Sequence, residues 1–247
     1  MTPVILFVHG FPFDRLLWRH QIAALSRWRC LAPDLRGAGA ADVPHDPAAY
    51  SMGSYADDLV ALLDREQVEQ AIVCGLSMGG YVTFELLRRV PARVGAMVLC
   101  NTKAAADTPD AKRARDEMAA RARSGGAAMI AEELIPRLLA RVTREQRPDV
   151  VREVREMIRR QPLDGIVGAL RALRDRPDST PLLARIDVPV LVIAGNDDPI
   201  APASEMEKMA NAIRGAEFLV IPGAAHMAPL EQPDAMNDLV MRFLMQL

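Results

Sequence analysis

The sequence predicts an α/β fold in which a mostly parallel sheet of about six strands carries an inserted helical lid. Three observations lead to this prediction. Short runs rich in Val, Ile and Leu recur along the chain, helix-like stretches separate them, and one long segment has helical patterns only. Because the chain has 247 residues and is 50% hydrophobic, it is long enough to bury a sizeable core.

The six apolar runs are the candidate strands. Most are continuous rather than alternating, as expected for strands covered on both faces by helices. In chain order they are Val4 to Val8, a run from Cys30, Ala71 to Cys74, Ala96 to Cys100, Val190 to Ala194 and Glu217 to Ile221.

Helical patterns lie between the early strands. Residues 55–64 carry closely spaced Leu and Val residues, and residues 81–90 form a similar stretch that ends before Pro91. The alternation of strand and helix predicts parallel strands joined by crossover helices.

Residues 103–180, called the helical segment below, interrupt this alternation. The predicted helices are 110–123, 127–140, 143–160 and 163–174. We interpret the segment as a lid inserted into a core formed by residues 1–102 and 181–247, so its two ends should lie close together. It contains 17 basic and 13 acidic residues, a net charge of +4. These charges are interpreted as solvated helix faces rather than as a device for steering a ligand.

The overall composition argues against several classes of partner. With 30 basic and 32 acidic residues, the formal charge is -2, so neither nucleic acid nor an anionic membrane is expected as a partner.

The start of the chain lacks signal-peptide features and no apolar run is long enough to span a membrane, which predicts a cytoplasmic protein. The sequence does not distinguish a monomer from a homodimer. Three cysteines in apolar runs indicate buried thiols.

The stretch "GLSMGG" surrounds Ser77 with glycines between a predicted strand and a predicted helix. A sharp turn from strand to helix strains the residue at its tip and presses its neighbours together. Gly75, Gly79 and Gly80 remove the side chains that would clash, which leaves Ser77 as an exposed hydroxyl. The unpaired N–H of Met78 at the start of the helix could receive developing negative charge.

A serine nucleophile needs a base and a group that orients the base. Of the four histidines, His226 is the best candidate, since it follows the last predicted strand and precedes the terminal helix. The loop "GNDDPIAP" offers Asp197 and Asp198 as the acid, and only one of two consecutive side chains can face His226. Asn101, at an alternative acid position after the preceding strand, cannot supply the charge.

Together, "GLSMGG", "HGF" after the first strand, "GNDDPIAP" and "GAAHMAPLEQP" resemble the α/β-hydrolase superfamily, in particular its enol-lactonase and small carboxylesterase branch. The resemblance spans the whole sheet-forming chain and implies an α/β-hydrolase fold. It implies that Asp198 is the acid and that the N–H of Phe11 joins that of Met78 in an oxyanion hole. It also implies that His9 is structural and holds the oxyanion loop.

Two features depart from the superfamily pattern. The first predicted strand lies almost at the start of the sequence, so the usual leading hairpin is not expected. In the stretch "PDLRGAGAAD", Ala38 and Ala41 stand where relatives often carry His and Ser. Both departures weaken assignment to one named subfamily.

The predicted function is hydrolysis of carboxylic esters or lactones, with Ser77 as nucleophile, His226 as base and Asp198 as orienting acid. Phe13, Trp18 and Met227 are candidate pocket residues, although each could equally belong to the core. No metal or organic cofactor is called for, because the sequence has no clustered His/Cys ligand set. Alternatives on the same triad are thioester or C–C bond hydrolysis and perhydrolysis; a slow-turnover lactone sensor is a further one.

Overall fold

The computed structural model describes residues 3–247 and contains one fully parallel six-stranded sheet, ordered β2-β1-β3-β4-β5-β6. Its strands are β1 Val4–Val8, β2 Arg29–Leu31, β3 Ala71–Leu76, β4 Val94–Cys100, β5 Val190–Gly195 and β6 Glu217–Ile221. The predicted parallel sheet of about six strands is therefore confirmed. β2 lies on one side of β1. The later strands β3 to β6 lie on its other side, in chain order.

Eleven α-helices connect and cover the strands within the described residues. They are α1 Arg19–Ala24, α2 Met52–Arg65, α3 Met78–Arg89, α4 Pro109–Leu138, α5 Arg141–Gln146, α6 Pro148–Arg159, α7 Leu163–Arg174, α8 Thr180–Leu183, α9 Ala203–Asn211, α10 Ala228–Glu231 and α11 Pro233–Leu244. Short 3-10 helices occur at Arg15–Trp18, Pro47–Ala49 and Pro91–Arg93. None of the described helices combines the length and apolarity that crossing a membrane requires.

The helical segment breaks at one place that was predicted, between residues 123 and 127, and at a second place that was not. Two predicted helices lie in α4, which is interrupted at Gly126, where φ is 70°. Conversely, the predicted helix 143–160 is divided between α5 and α6. The break falls at Arg147, which is non-helical because Pro148 disfavours helical backbone in the residue before it.

One hydrophobic core joins the sheet to the helical segment. The central strands β3, β4 and β5 are buried along almost their whole length. Ile130, Val154 and Leu170 of the helical segment belong to the same packed cluster as these strands. The helices are thus held over the sheet by apolar burial, the main stabilising term in such packing.

Candidate active site

Ser77 lies at the tip of a strained turn between β3 and α3. Its φ is 52° and its ψ is -111°, a conformation that a residue with a side chain rarely adopts. The turn is fixed from several sides. The Ser77 N–H donates to the Cys100 carbonyl (2.9 Å), while the Ser77 carbonyl accepts bonds from the Gly80 N–H (2.9 Å) and the Thr102 hydroxyl (2.8 Å).

The glycines around Ser77 are required by the close approach of neighbouring backbone. A Cβ on Gly75 would lie 2.5 Å from the Gly79 carbonyl oxygen. A Cβ on Gly79 would overlap the Val8 carbonyl, and one on Gly80 would overlap the Thr102 side chain. The two ends of the turn and the end of β1 therefore meet at distances that only glycine permits.

Asp198 and His226 meet at the carboxyl end of the sheet. His226 Nδ1 lies 2.8 Å from Asp198 Oδ2, and both side chains are buried. Since an ionised carboxylate only accepts hydrogen bonds, the proton of the neutral imidazole is on Nδ1, which leaves Nε2 as the basic nitrogen. Asp197, by contrast, is exposed and accepts a bond from Asn196 (3.0 Å). Asp198 therefore contacts His226, whereas Asp197 is exposed to solvent.

Every lone-pair direction of the Asp198 carboxylate is engaged. Oδ1 accepts the N–H groups of Ile200 (2.7 Å) and Ala201 (3.1 Å), while Oδ2 accepts Asn101 Nδ2 (2.8 Å) besides His226. Burial works against the charged carboxylate, but the facing imidazole and these hydrogen bonds outweigh it. The pKa of Asp198 consequently lies below its ordinary value of 3.8.

Side chains from two other elements hold the peptide that precedes His226. Asn101 Nδ2 donates to the Ala225 carbonyl (3.1 Å), and the Ala225 N–H donates to Glu231 Oε1 (2.8 Å). Sequence reasoning considered Asn101 only as an alternative position for the acid, one that lacks the required charge. It did not single out Glu231. An Asn directly after a predicted strand was a usable sequence signal, because Asn tolerates the positive φ that Asn101 adopts, 44°.

The two candidate oxyanion donors belong to backbone segments next to Ser77. Met78 is the first residue of α3, where an N–H has no partner within the helix. The loop that carries Phe11 runs directly against the turn, since a Cβ on Gly10 would lie 3.3 Å from Ser77 Cβ. Neither the Phe11 nor the Met78 N–H donates in any turn or loop backbone hydrogen bond between described residues.

His9 is buried beneath this loop. Its Nε2 accepts the Leu35 N–H (2.9 Å), so its Nδ1 carries the proton and donates to the Gly10 carbonyl (2.9 Å). Burial lowers the pKa of His9 and keeps the ring neutral. The imidazole thereby ties the loop after β1 to the loop after β2.

Ser77 and His226 line one cavity of about 250 Å³ beneath α4 and α7, together with Phe11, Tyr81, Ile200 and residues of the helical segment. Within residues 3–247, no direct hydrogen bond joins Ser77 Oγ to the His226 ring in this structure. Catalytic hydrogen bonds of this kind are often long in ligand-free enzymes.

Three candidate pocket residues are not part of the Ser77 cavity. Trp18 is 0% exposed and packs on Phe7 with ring centroids 5.0 Å apart. Met227 is also fully buried, and its N–H donates to the Leu138 carbonyl (3.2 Å). Phe13 lines another space of about 20 Å³, which shares Phe11 with the Ser77 cavity. A pocket role for these residues stays a prediction, because apolarity near a motif does not distinguish core from cavity wall.

Two other kinds of reactive group, buried thiols and clustered metal ligands, are considered for residues 3–247. Burial raises the pKa of the Cys74 thiol well above its ordinary value, as does its hydrogen bond with Cys100, so Cys74 is a poor thiolate former. Within residues 3–247, no three His, Cys, Asp or Glu side chains are grouped to hold a metal ion.

Known proteins of one family are similar to this chain over most of its length. A family model described as "alpha/beta hydrolase fold" matches residues 3–233. The 3-oxoadipate enol-lactonase 2 of Acinetobacter baylyi is 30% identical over 239 residues, which cover 96% of this chain and 87% of the relative. A thermophilic esterase from Thermogutta terrifontis, solved with malate bound, is 40% identical with a TM-score of 0.96, covering 100% of this chain and 90% of the esterase. The enol-lactonase of Burkholderia xenovorans is 30% identical with a TM-score of 0.91, covering 99% and 92%.

Proposed function

The chain belongs to the α/β-hydrolase family, and from this premise we propose that it hydrolyses carboxylic esters or lactones through an acyl-enzyme intermediate on Ser77. The observation that carries the proposal is the shared cavity. It joins a serine on a strained strand-to-helix turn to an imidazole whose far nitrogen is held by a buried carboxylate. The esterase and enol-lactonases among its relatives support this class of substrate.

In the first half of the proposed reaction, Ser77 Oγ attacks the substrate carbonyl carbon while His226 Nε2 takes the hydroxyl proton. Asp198 holds the imidazole in the required tautomer and stabilises the imidazolium that forms. The carbonyl oxygen becomes an oxyanion that accepts hydrogen bonds from the N–H groups of Phe11 and Met78. Each such donor is typically worth ~10²- to 10³-fold in rate.

Collapse of this intermediate expels the alcohol, which takes the proton from His226, and leaves the acyl group on Ser77. Water then attacks the acyl carbon while His226 accepts its proton, and release of the acid restores the hydroxyl. In a lactone the expelled alcohol remains attached to the acyl chain, so the same steps open the ring. The proposal needs no group beyond these side chains and backbone donors.

The test is a panel of p-nitrophenyl acetate and butyrate, aliphatic lactones and thioesters, assayed beside Ser77→Ala. We expect multiple turnovers on esters or lactones and a loss in kcat on the order of 10⁶-fold in the variant. Ser204→Ala is the matched control, because Ser204 is exposed on α9 and lies outside the cavity. Its activity should equal that of the wild type.

Three outcomes would contradict the proposal. Full activity in Ser77→Ala would remove the nucleophile. Release of a single equivalent of p-nitrophenol without further turnover would favour a lactone-sensing protein. Turnover confined to thioesters would move the function to another acyl chemistry on the same triad.

A further inference from the structure

A second cavity, called the arginine groove below, lies between helices α4 and α7 of the helical segment. Its volume of about 370 Å³ is within the usual range of small-molecule pockets, roughly 300 to 1,000 Å³. It shares a single wall residue, Arg115, with the Ser77 cavity. The charged residues of its wall are Arg115, Asp116, Arg123, Arg171 and Arg174. Four guanidinium groups therefore surround this cavity against one carboxylate.

The arginines come from two helices that pack against each other. On α4, Arg115, Ala119 and Arg123 follow at four-residue spacing, so they lie on one face of the helix. At a rise of ~1.5 Å per residue, Arg115 and Arg123 are about 12 Å apart along the axis. Arg171 and Arg174 lie on α7, three residues apart. The groove thus offers donors at two separated places and from both of its sides.

Three of these arginines have donors that no carboxylate uses. Arg123 has no ion-pair or hydrogen-bond partner among residues 3–247. Arg171 Nε is 3.9 Å from Asp175, too far for a hydrogen bond. Arg174 Nε is buried and has no hydrogen-bond partner in the same range of residues, although Asp116 lies 3.4 Å away. A buried donor without an acceptor is costly, and an anionic oxygen in the groove would supply the acceptor.

The nearby carboxylates do not balance the four arginines. Asp107 is shared: its Oδ2 lies 3.1 Å from Arg115 Nε, and its Oδ1 lies 2.6 Å from Arg176 Nη1. Asp175 is shared between Arg171 and Arg174, at 3.9 and 3.7 Å. The groove consequently keeps a positive potential, although the whole chain carries a formal charge of -2.

We propose that the arginine groove binds the diphosphate group of a small molecule through Arg123, Arg171 and Arg174. Guanidinium groups donate paired hydrogen bonds to phosphate oxygens, and a diphosphate offers such oxygens on two phosphorus atoms. A single carboxylate would engage one guanidinium and leave the others unused. The donors line one cavity rather than an extended face, which favours a small molecule over nucleic acid. The inference is independent of the proposed hydrolysis at Ser77.

The proposal also gives a role to part of the charge of the helical segment. The net charge of +4 was interpreted from the sequence as solvated helix faces. The fold instead collects four of those arginines around one cavity, because the faces of α4 and α7 that carry them point toward each other.

The test is isothermal titration calorimetry of the whole chain with inorganic pyrophosphate, at physiological ionic strength. Inorganic phosphate and ADP are titrated in parallel. We expect pyrophosphate to bind at one site per chain and about tenfold more tightly than phosphate, because it engages more charge-assisted hydrogen bonds. Tighter binding of ADP than of pyrophosphate would identify a nucleoside diphosphate as the ligand, and weaker binding would identify the free diphosphate group. Either result supports the site.

Two variants test the residues. Arg123→Gln and Arg171→Gln should each weaken pyrophosphate binding about tenfold, the loss typical of removing a charge-assisted hydrogen bond. Neither side chain makes a hydrogen bond within residues 3–247, so both variants should fold like the wild type. Thermal denaturation without ligand checks this. Arg123→Lys should retain part of the affinity, since it keeps the charge but not the paired donors.

Two further arginines of the helical segment provide matched controls. Arg152 is exposed on α6 and lines neither cavity, whereas Arg137 lines the Ser77 cavity but not the groove. Arg152→Gln and Arg137→Gln change the net charge of the protein by the same amount as the test variants. Their affinity for pyrophosphate should stay within about twofold of that of the wild type, because salt screens distant charges.

Several results would overturn the inference. One is the absence of pyrophosphate and ADP binding at millimolar concentration. Another is an affinity that Arg123→Gln and Arg171→Gln leave unchanged. An equal loss in Arg152→Gln would show that net charge alone is responsible, and a loss confined to Arg137→Gln would place the anion in the Ser77 cavity. None of these results bears on hydrolysis at Ser77.

Discussion

Two residues in positive-φ backbone lie side by side at the carboxyl edge of the sheet. Ser77 and Asn101 follow the adjacent strands β3 and β4, with φ of 52° and 44°. Each N–H donates to the next strand along, Ser77 to the Cys100 carbonyl and Asn101 to that of Ile193, both at 2.9 Å. Strain of this kind costs about 1 to 3 kcal/mol per residue and is typical of functional sites. It aims Ser77 at the cavity and Asn101 at the Asp198 carboxylate.

Substitution of the two neighbouring acids tests which of them supports His226. We expect Asp198→Asn to lower kcat about 10⁴-fold, because the amide carries no charge to stabilise the imidazolium and its NH₂ would face other donors. Asp197→Asn is the matched control and should stay within about twofold of the wild type, since Asp197 is exposed. Steady-state kinetics on one ester suffice. A large loss confined to position 197 would reverse the assignment.

At the scale of elements, Glu231 of α10 joins the His226 loop to the helical segment. Its Oε1 accepts the Ala225 N–H at 2.8 Å, and its Oε2 accepts the Ala140 N–H and the Thr143 hydroxyl, both at 2.7 Å. Burial raises the pKa of Glu231, whereas these hydrogen bonds favour its charged form. The carboxylate thus fixes the end of α4 and the start of α5 against the loop that carries the candidate base.

Removal of this carboxylate should destabilise the protein. Glu231→Ala leaves three donors without their acceptor, and each buried unsatisfied group costs about 1 to 3 kcal/mol, so we expect the free energy of unfolding to fall by roughly 3 kcal/mol or more. The neighbouring Gln232→Ala loses only a 3.4 Å bond to the Gly223 carbonyl. That control should lose less than about 1 kcal/mol. Urea denaturation followed by circular dichroism measures both, and similar losses in the two variants would contradict the role of Glu231.

At the scale of the whole molecule, the helical segment is fastened to the sheet by polar contacts as well as by the shared core. Asp14, after β1, accepts two bonds from Arg160, each of 2.9 Å, and one from Gln161 Nε2 of 3.0 Å. Gln161 Oε1 in turn accepts the Gly39 N–H at 3.0 Å. These contacts reach the loops after both β1 and β2, so the segment is anchored far from its ends.

This anchoring predicts that the helical segment and the sheet unfold together. Differential scanning calorimetry should give a single transition whose calorimetric enthalpy equals the van't Hoff enthalpy. The physical reason is that separation of the segment would expose buried residues such as Ile130 and Val154, which are 0% exposed. A resolved transition at lower temperature would instead show that the helices melt as an independent unit.

The sequence alone determined the fold class and the turn at Ser77. Both depend on local patterns: continuous apolar runs predict buried parallel strands, and glycines predict a turn where Cβ atoms would clash. The end of a helix could also be predicted where proline acts locally, as before Pro91, but the division of residues 143–160 at Arg147 was missed although Pro148 is a local signal for it.

Only the tertiary structure decided which residues meet. Whether Asp197 or Asp198 faces His226 depends on the path of one loop against another, and the burial of Trp18 and Met227 depends on how helices pack on the sheet. Such contacts join residues far apart in the chain, so their geometry is set by the packing of the whole core and is not encoded in any short stretch.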